Sequence, residues 1–323
     1  MVQHIEWCIY TSAREHGRVQ PPACPRAEDR AAGLVVLAAI LFGTTGTAQA
    51  LGPQELSPLV VGAGRIALGG LILAVVAAAA GQLRDRIAWR PAVVLAAAVG
   101  VAGYQVGFFT GVDRAGVAVG TIVTIGSAPA FTGLLGWLSG QGRPMGVWAA
   151  ATALAIAGGA LLAGSGEGKS SADPLGIAFA LLAGASYAIY TVAAKRLLDD
   201  GHRPVGVMGA SFGLGGLLLA PVLVALGPAA VQAEPSILLV VLYLALVPTA
   251  VAYVLFARGL GLLPAPTVAT LTLAEPVVAS TLGVLVLAEP VTAARAVGAA
   301  LVLAGLLALG YRPPPPPAAG PGG

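Results

Sequence analysis

Charge is what this chain of 323 residues has least of: Asp, Glu, Lys and Arg together make up 10% of it. Soluble domains carry about 25%. Histidine is nearly missing, at 3 residues, and cysteine too, at 2 (Cys8 and Cys24). These shortages exclude whole classes. A soluble enzyme or a nucleic-acid-binding domain needs a charged surface, and a disulfide scaffold needs more cysteine. No Walker A lysine loop occurs, so the chain does not itself hydrolyse ATP. No histidine stands in an apolar stretch, which removes the usual general base from the apolar interior. No Ser/His/Asp or Cys/His set occurs there either, so no catalytic residue and no cofactor is expected. His4, Cys8, His16 and Cys24 are spaced too loosely for a zinc site, and His202 has no partner at metal-ligand spacing, so no metal is expected. The run Gly62-Ala-Gly64-Arg-Ile-Ala67 imitates a dinucleotide fingerprint, but it lies within an apolar block with no strand before it.

Apolar residues are what is there, at 57% of the chain and a mean hydropathy of +0.89. They fall into ten blocks, near 31–51, 57–80, 91–112, 115–139, 146–164, 174–194, 204–226, 236–258, 265–287 and 291–311. Each is long enough, at about 20 residues, to cross a hydrocarbon core. The blocks lack the alternation of a barrel strand. A segment in lipid must satisfy its own backbone, so all ten are expected to be helices. Short polar turns such as Gln141-Gly142-Arg143-Pro144 separate them. The spacings Gly107/Gly111, Gly116/Gly120 and Gly136/Gly140 suit close helix packing. Residues 1–30 and 312–323, the latter opening on Pro313–Pro317 after Arg312, read as disordered tails. Ala48-Gln49-Ala50 after an apolar run imitates a signal-peptide cleavage site. The duplication below needs the first block, so it is read as a span.

Basic residues give the orientation. With ten spans and both ends inside, the inside segments hold Arg14, Arg18, Arg26, Arg30, Arg84, Arg86, Arg90, Arg143, Lys195, Arg196, Arg203, Arg258 and Arg312. The outside segments hold Arg114, Lys169 and Arg295. That imbalance predicts N-in and C-in.

Shifted by 147 residues, the first half falls on the second. Pro129 meets Pro276, Gly136 meets Gly283, Leu138 meets Leu285, Leu154 meets Leu301 and Gly158 meets Gly305. Other spans agree with small slips, as Ala67-Leu68-Gly69-Gly70-Leu71 does with Gly213-Leu214-Gly215-Gly216-Leu217. The unit is five helices, and an odd unit enters the membrane from opposite sides in its two copies. Inverted repeats of this kind let two halves rock around a central site, as in secondary transporters. Pro129 and Pro276 are expected to bend matching helices there.

The second half also resembles a known superfamily, the EamA-type drug/metabolite transporters, through Thr249-Ala-Val-Ala-Tyr253, Arg258-Gly-Leu, Leu273-Ala-Glu-Pro276, Gly283-Val-Leu-Val-Leu-Ala-Glu289-Pro290 and Gly298…Gly305. The first half resembles it through Phe42-Gly43, Arg65, Tyr104, Ala128-Pro129 and Gly158. The resemblance spans roughly residues 31–311. It implies an all-α membrane protein of ten transmembrane helices as two inverted five-helix repeats, 31–164 and 174–311, around a central cavity that moves small organic metabolites without ATP. The chain departs from the family pattern in having Gly142 where an acid often follows the fourth span, and in lacking a basic residue at the end of span one.

Only two charges sit well inside the spans, Arg65 and Glu275. A charge at the bilayer centre costs about 2.5–3.5 kcal/mol on insertion scales, so it faces a partner or a wet cavity. Glu275 either binds a cation or proton, or ties its helix to a neighbour. Arg65 either pairs with Glu275 or a substrate carboxylate, or bonds backbone carbonyls. Tyr187, Tyr190 and Thr191 share one helical face, and Thr272 lies three residues before Glu275. With Tyr104, Gln105, Thr121, Thr124, Thr44, Thr47 and Tyr253 these are candidates to line a cavity for a flat or amphiphilic solute. Each also has a structural reading, as glue between helices or as an interfacial anchor. The expected partners are a small-molecule substrate and the lipid bilayer, with no nucleic acid. A monomer suffices, because two fused halves complete a cavity. Arg-over-Lys usage and Ala/Gly richness fit a bacterial inner (cytoplasmic) membrane protein.

Overall fold

Proline sets where several of the helices begin. It lacks an N–H and its φ is already helical, so it fits the first turn, where N–H groups have no intrahelical partner. The computed structural model describes residues 25–52, 57–84, 87–140, 146–164, 173–288 and 291–310. Its helices in chain order are α1 (Pro25–Ala50), α2 (Pro58–Ala79), α3 (Pro91–Ala115), α4 (Val117–Leu138), α5 (Gly146–Gly164) and α6 (Pro174–Asp199). There follow α7a (Pro204–Leu218), α7b (Ala220–Ala233), α8a (Ile237–Ala245), α8b (Ala252–Leu262), α9a (Ala265–Leu271), α9b (Glu275–Leu287) and α10 (Ala293–Gly310). No strand occurs among the described residues.

Every apolar block of the sequence is helical, with three differences. α1 starts at Pro25, inside the stretch expected to be tail, with Glu28 in its first turn where an acid suits the helix dipole. α6 runs on to Asp199, past the expected end of its block, so Lys195 lies within its last turns and not at its end. The third difference is the count. Among the described residues seven helices are long and apolar enough to cross a membrane, eight if the bent α7 is one span. α5 and α10 are apolar but shorter, and α7a meets α7b at 62°. Pro221, just past that break, has no N–H to continue the helical ladder.

Two further irregularities lie in the second half. Between α8a and α8b, Leu246–Val251 forms a wide π turn. Pro248 there has no N–H for the Leu244 carbonyl, and the Thr249 hydroxyl donates to it instead at 2.8 Å. In α9 the residues Thr272–Ala274 tighten into a 3-10 turn. Pro276 cannot donate to the Thr272 carbonyl, and the Glu275 N–H takes its place. Pro129 has no such effect: α4 is one uninterrupted helix through it. Pro129 therefore causes no break in α4, one lost hydrogen bond being tolerable in a packed helix.

The packing repeats when each helix is exchanged for the one five places on. α3 lies along α6 as α1 lies along α8; α4 meets α6 as α9 meets α1; α3 meets α7 as α8 meets α2. α2 with α7 and α5 with α10 pair each helix with its own counterpart. Glycine makes the closest of these approaches possible. A methyl at Gly107 would stand 2.9 Å from the Ala183 nitrogen, and one at Gly111 the same distance from that of Ala180, so α3 touches α6 backbone to backbone. The Gly107/Gly111 spacing is thus a contact seam. Gly140 instead ends a helix at φ +78° with open space around it.

Candidate functional site

Near the middle of the bundle, α2, α3, α6, α8 and α9 each contribute a polar or aromatic side chain. Glu275 begins α9b, directly after the 3-10 turn, and Arg65 lies two turns into α2. Both are half-buried. Each acts electrostatically on Tyr104 and Tyr253, and Arg65 on Glu275. They nevertheless form no ion pair: the ion pairs among the described residues are Arg90–Asp200, Arg114–Asp173, Lys195–Asp199 and Arg196–Asp200. Arg65 reaches the Gln105 side-chain oxygen at 3.5 Å, and its Nε has no hydrogen-bond partner. A guanidinium and a carboxyl therefore lie within electrostatic reach of each other without forming an ion pair.

Tyrosine rings stand beside both charges. Tyr253 is the hub, with Phe212 at 4.1 Å, Phe42 at 4.9 Å and Tyr190 at 6.0 Å between ring centroids. Tyr187 lies 6.3 Å from both Tyr104 and Tyr190. Such tilted and edge-on pairs add about 0.5–1.5 kcal/mol each beyond burial. Tyr104, Tyr187, Tyr253 and Thr272 keep some accessible surface, whereas Tyr190, Phe212 and Phe256 are closed off beneath them. The Tyr187 hydroxyl meets that of Thr272 at 3.2 Å, joining α6 to the 3-10 turn.

Most of the sequence candidates meet here: Glu275, Arg65, Tyr104, Gln105, Tyr187, Tyr253 and Thr272. Tyr190 supplies its ring, its hydroxyl being taken up by the Met208 sulfur at 3.4 Å. Thr124 lies elsewhere, buried and donating to the Ala180 carbonyl at 3.1 Å, so it holds α4 to α6. Thr44 donates to Leu41 O and accepts from Tyr243 on α8, again a tie between helices. His202 stacks on Trp89 at 3.9 Å, far along the chain from this centre. No group of three or more His, Cys, Asp or Glu capable of holding a metal occurs among the described residues. The tail residues His4, Cys8, His16 and Cys24, the turn at 141–144, Glu289 and the 313–317 proline run lie outside them. Phe212 was not singled out by sequence reasoning; the local repeat offset of 146 residues pairs Arg65 with Ser211, one position before it.

An all-helical apolar bundle holding unpaired charges at its centre is built as a membrane transporter. The EamA-like transporter family matches the chain twice, over residues 30–164 and 174–311. The "Uncharacterized transporter YwfM" of Bacillus subtilis (strain 168) is 39% identical over 279 residues, 86% of this chain and 93% of that protein. A solved chain, titled only "Crystal structure of protein", shares the fold with a TM-score of 0.73 at 21% identity, over 87% of this chain and 96% of its own. The chain belongs to the EamA-like transporter family.

Proposed function

We propose that the chain is a secondary transporter that exports small organic metabolites by alternating access around the centre between α2, α3, α6, α8 and α9. On this reading α5, α10 and the bent α7 each cross the membrane, giving ten spans in two inverted repeats, 31–164 and 174–311, with both ends in the cytoplasm of a bacterial cell. One protomer suffices. The observation that carries the reading is the unpaired couple of Arg65 and Glu275 among aromatic rings. A solute bearing a carboxylate and an ammonium, such as an amino acid or a drug-like amphiphile, would satisfy both charges, with its apolar part against Tyr253, Tyr187 and Tyr104. Glu275 is then also the group that would exchange a proton when the solute leaves.

Proteoliposomes loaded with a pH-sensitive dye test this. A panel of amino acids, organic cations and other metabolites is added to the parent protein and to Glu275→Gln. A saturable proton flux with one class of solute, lost in the variant, is the expected result. Solute movement without protons, equal in both proteins, would instead make the chain a facilitator and Glu275 a structural tie.

A further inference from the structure

The two ends of the bundle differ, and the difference deepens the transporter reading on which it rests. Under the five-helix exchange, α6 answers to α1. Yet α6 also packs on α7a, α8b and α9a, while α1 makes no comparable packing on α2, α3 or α4. These extra contacts lie at the end where α1 begins, the near end. The apolar core closes there: Val35, Leu73, Leu197, Met208, Phe256 and Leu260 are all at most 1% exposed. At the far end Val60, Val61 and Ile237 close a second apolar cluster between α2 and α8a, whereas α9b buries only Gly283 and none of the described side chains of α7b is buried.

What holds the near end is polar. Lys195, in the last turns of α6, has a side chain only 8% exposed; its Nζ lies 2.8 Å from Asp199 Oδ1 and donates to the Gly261 carbonyl at 3.2 Å. Gly261 belongs to the last turn of α8b, where carbonyls have no intrahelical partner and the helix dipole is negative. A buried ammonium is stable only while such partners stay in place. Gln82 adds a second tie, its Oε1 accepting from the Gly206 N–H in the first turn of α7a at 3.0 Å. Neither tie is repeated in sequence at the matching positions of the other half. The residues 147 before Lys195 and Asp199 are Ala48 and Gly52, and the one 147 after Gln82 is Ala229. A slip of one gives Gln49, Pro53 and Pro228. The far end has the ion pair Arg114–Asp173, whose side chains are 46% and 34% exposed and whose helices already pack along their length.

We infer that Lys195, Asp199 and the Gly261 carbonyl form a one-sided latch that holds the near end shut at rest, so that the polar centre opens toward the far end. Release of the latch is the step that exposes the centre to the near side.

Thr191 reports on the latch, being fully buried and one turn from both Tyr187 and Lys195. In the full chain with Cys8→Ser and Cys24→Ser, Thr191→Cys is treated with a charged, membrane-impermeant maleimide in spheroplasts and in inverted vesicles. Arg30→Cys, at the exposed start of α1, marks which preparation presents the near end. With the latch intact, the thiol introduced by Thr191→Cys stays unlabelled from the near side. Lys195→Ala raises that labelling by about tenfold, Asp199→Asn moves it the same way, and Lys195→Arg keeps the protection. Unchanged near-side labelling in both Lys195→Ala and Asp199→Asn overturns the latch. If Lys195→Ala fails to fold, Asp199→Asn alone decides. Solute flux in the same vesicles separates the two ideas. Flux with unchanged labelling removes the latch and keeps the transporter, and shifted labelling without flux does the reverse.

Discussion

α4 runs through Pro129 as one helix, whereas its counterpart α9 tightens into a 3-10 turn just ahead of Pro276. Two of the other pairs differ in the same sense. α2 is a single rod and α7 is bent by 62°; α3 is regular from Pro91 to Ala115 and α8 carries a π turn. The first half supplies Arg65, Tyr104 and Gln105 from regular helices. The second supplies Glu275, Tyr253 and Phe212 from helices that are broken or bent nearby. Duplication kept the packing of the two halves and let the second half distort where the centre is built. Distortion there frees carbonyls and re-aims side chains, which is what a polar centre in lipid requires.

The strongest way to break this comparison is to move the acid. Position 128, an alanine, is the counterpart of Glu275. Glu275→Ala combined with Ala128→Glu is expected to leave solute-driven proton flux at the level of empty liposomes. Recovered flux would mean that the halves are interchangeable at the centre. Where the halves are equivalent, matched changes should instead cost the same. Gly158 and Gly305 face each other's helices: a methyl at Gly305 would lie 2.6 Å from the Ala151 carbonyl oxygen, and one at Gly158 would strike the Gly298 carbonyl. Gly158→Leu and Gly305→Leu should each destabilise by roughly 1–3 kcal/mol, read as matched drops in melting temperature in detergent.

Smaller effects sharpen the picture. A methyl at Gly43 would stand 2.7 Å from Val278 Cβ and 3.0 Å from the Glu275 carbonyl oxygen. Gly43→Ala should push α1 off α9 beside the centre and slow flux severalfold. Gly33→Ala, with nothing within 4 Å, should do neither. Pro129→Ala restores one hydrogen bond in a continuous helix and should leave flux unchanged with equal or slightly higher stability. The least effect belongs to Asp173, the N-cap of α6. The Leu175 N–H, and after it Arg114, hold its carboxyl below the usual carboxylate range. Its folded value is the lower one, so its contribution is present above the ordinary carboxylate pKa and is lost as pH falls through the depressed value. Asp173→Asn should therefore lower the melting temperature slightly at neutral pH and flatten the acid limb of its pH profile, the two proteins converging as pH falls through the depressed value.

Much of the architecture was legible because lipid leaves the backbone few choices. Apolar blocks had to be helices, and Pro58, Pro91, Pro174 and Pro204 marked their starts. Glu275 and Arg65 stood out because charge is so rare in the blocks. The distortions were less legible, since Pro129 and Pro276 look alike in sequence. Which of them breaks its helix depends on the neighbours: at Pro276, Gly43 of α1 approaches the backbone of Glu275 and Tyr187 bonds Thr272. Lys195 was read as the end of span six, because nothing local says that α6 continues for another turn. Thr124 looked like a cavity residue and proved to be a tie, because hydroxyls serve either role and only the position of Ala180 decides.

The π turn of α8 has a further meaning. A helix absorbs a single added residue as one wide turn without displacing its ends. The repeat offset is 146 residues where Ala67–Leu71 meets Gly213–Leu217, and 147 where Pro129 meets Pro276. One residue was thus gained between these points in the second copy, and the wide turn at Leu246–Val251 lies between them. Left unabsorbed, an insertion of one residue would turn every later residue of a helix by about 100°. Taken up in the wide turn, it leaves Tyr253 on the face that meets Phe42 and Phe212, so the copied helix gained a residue and kept its packing.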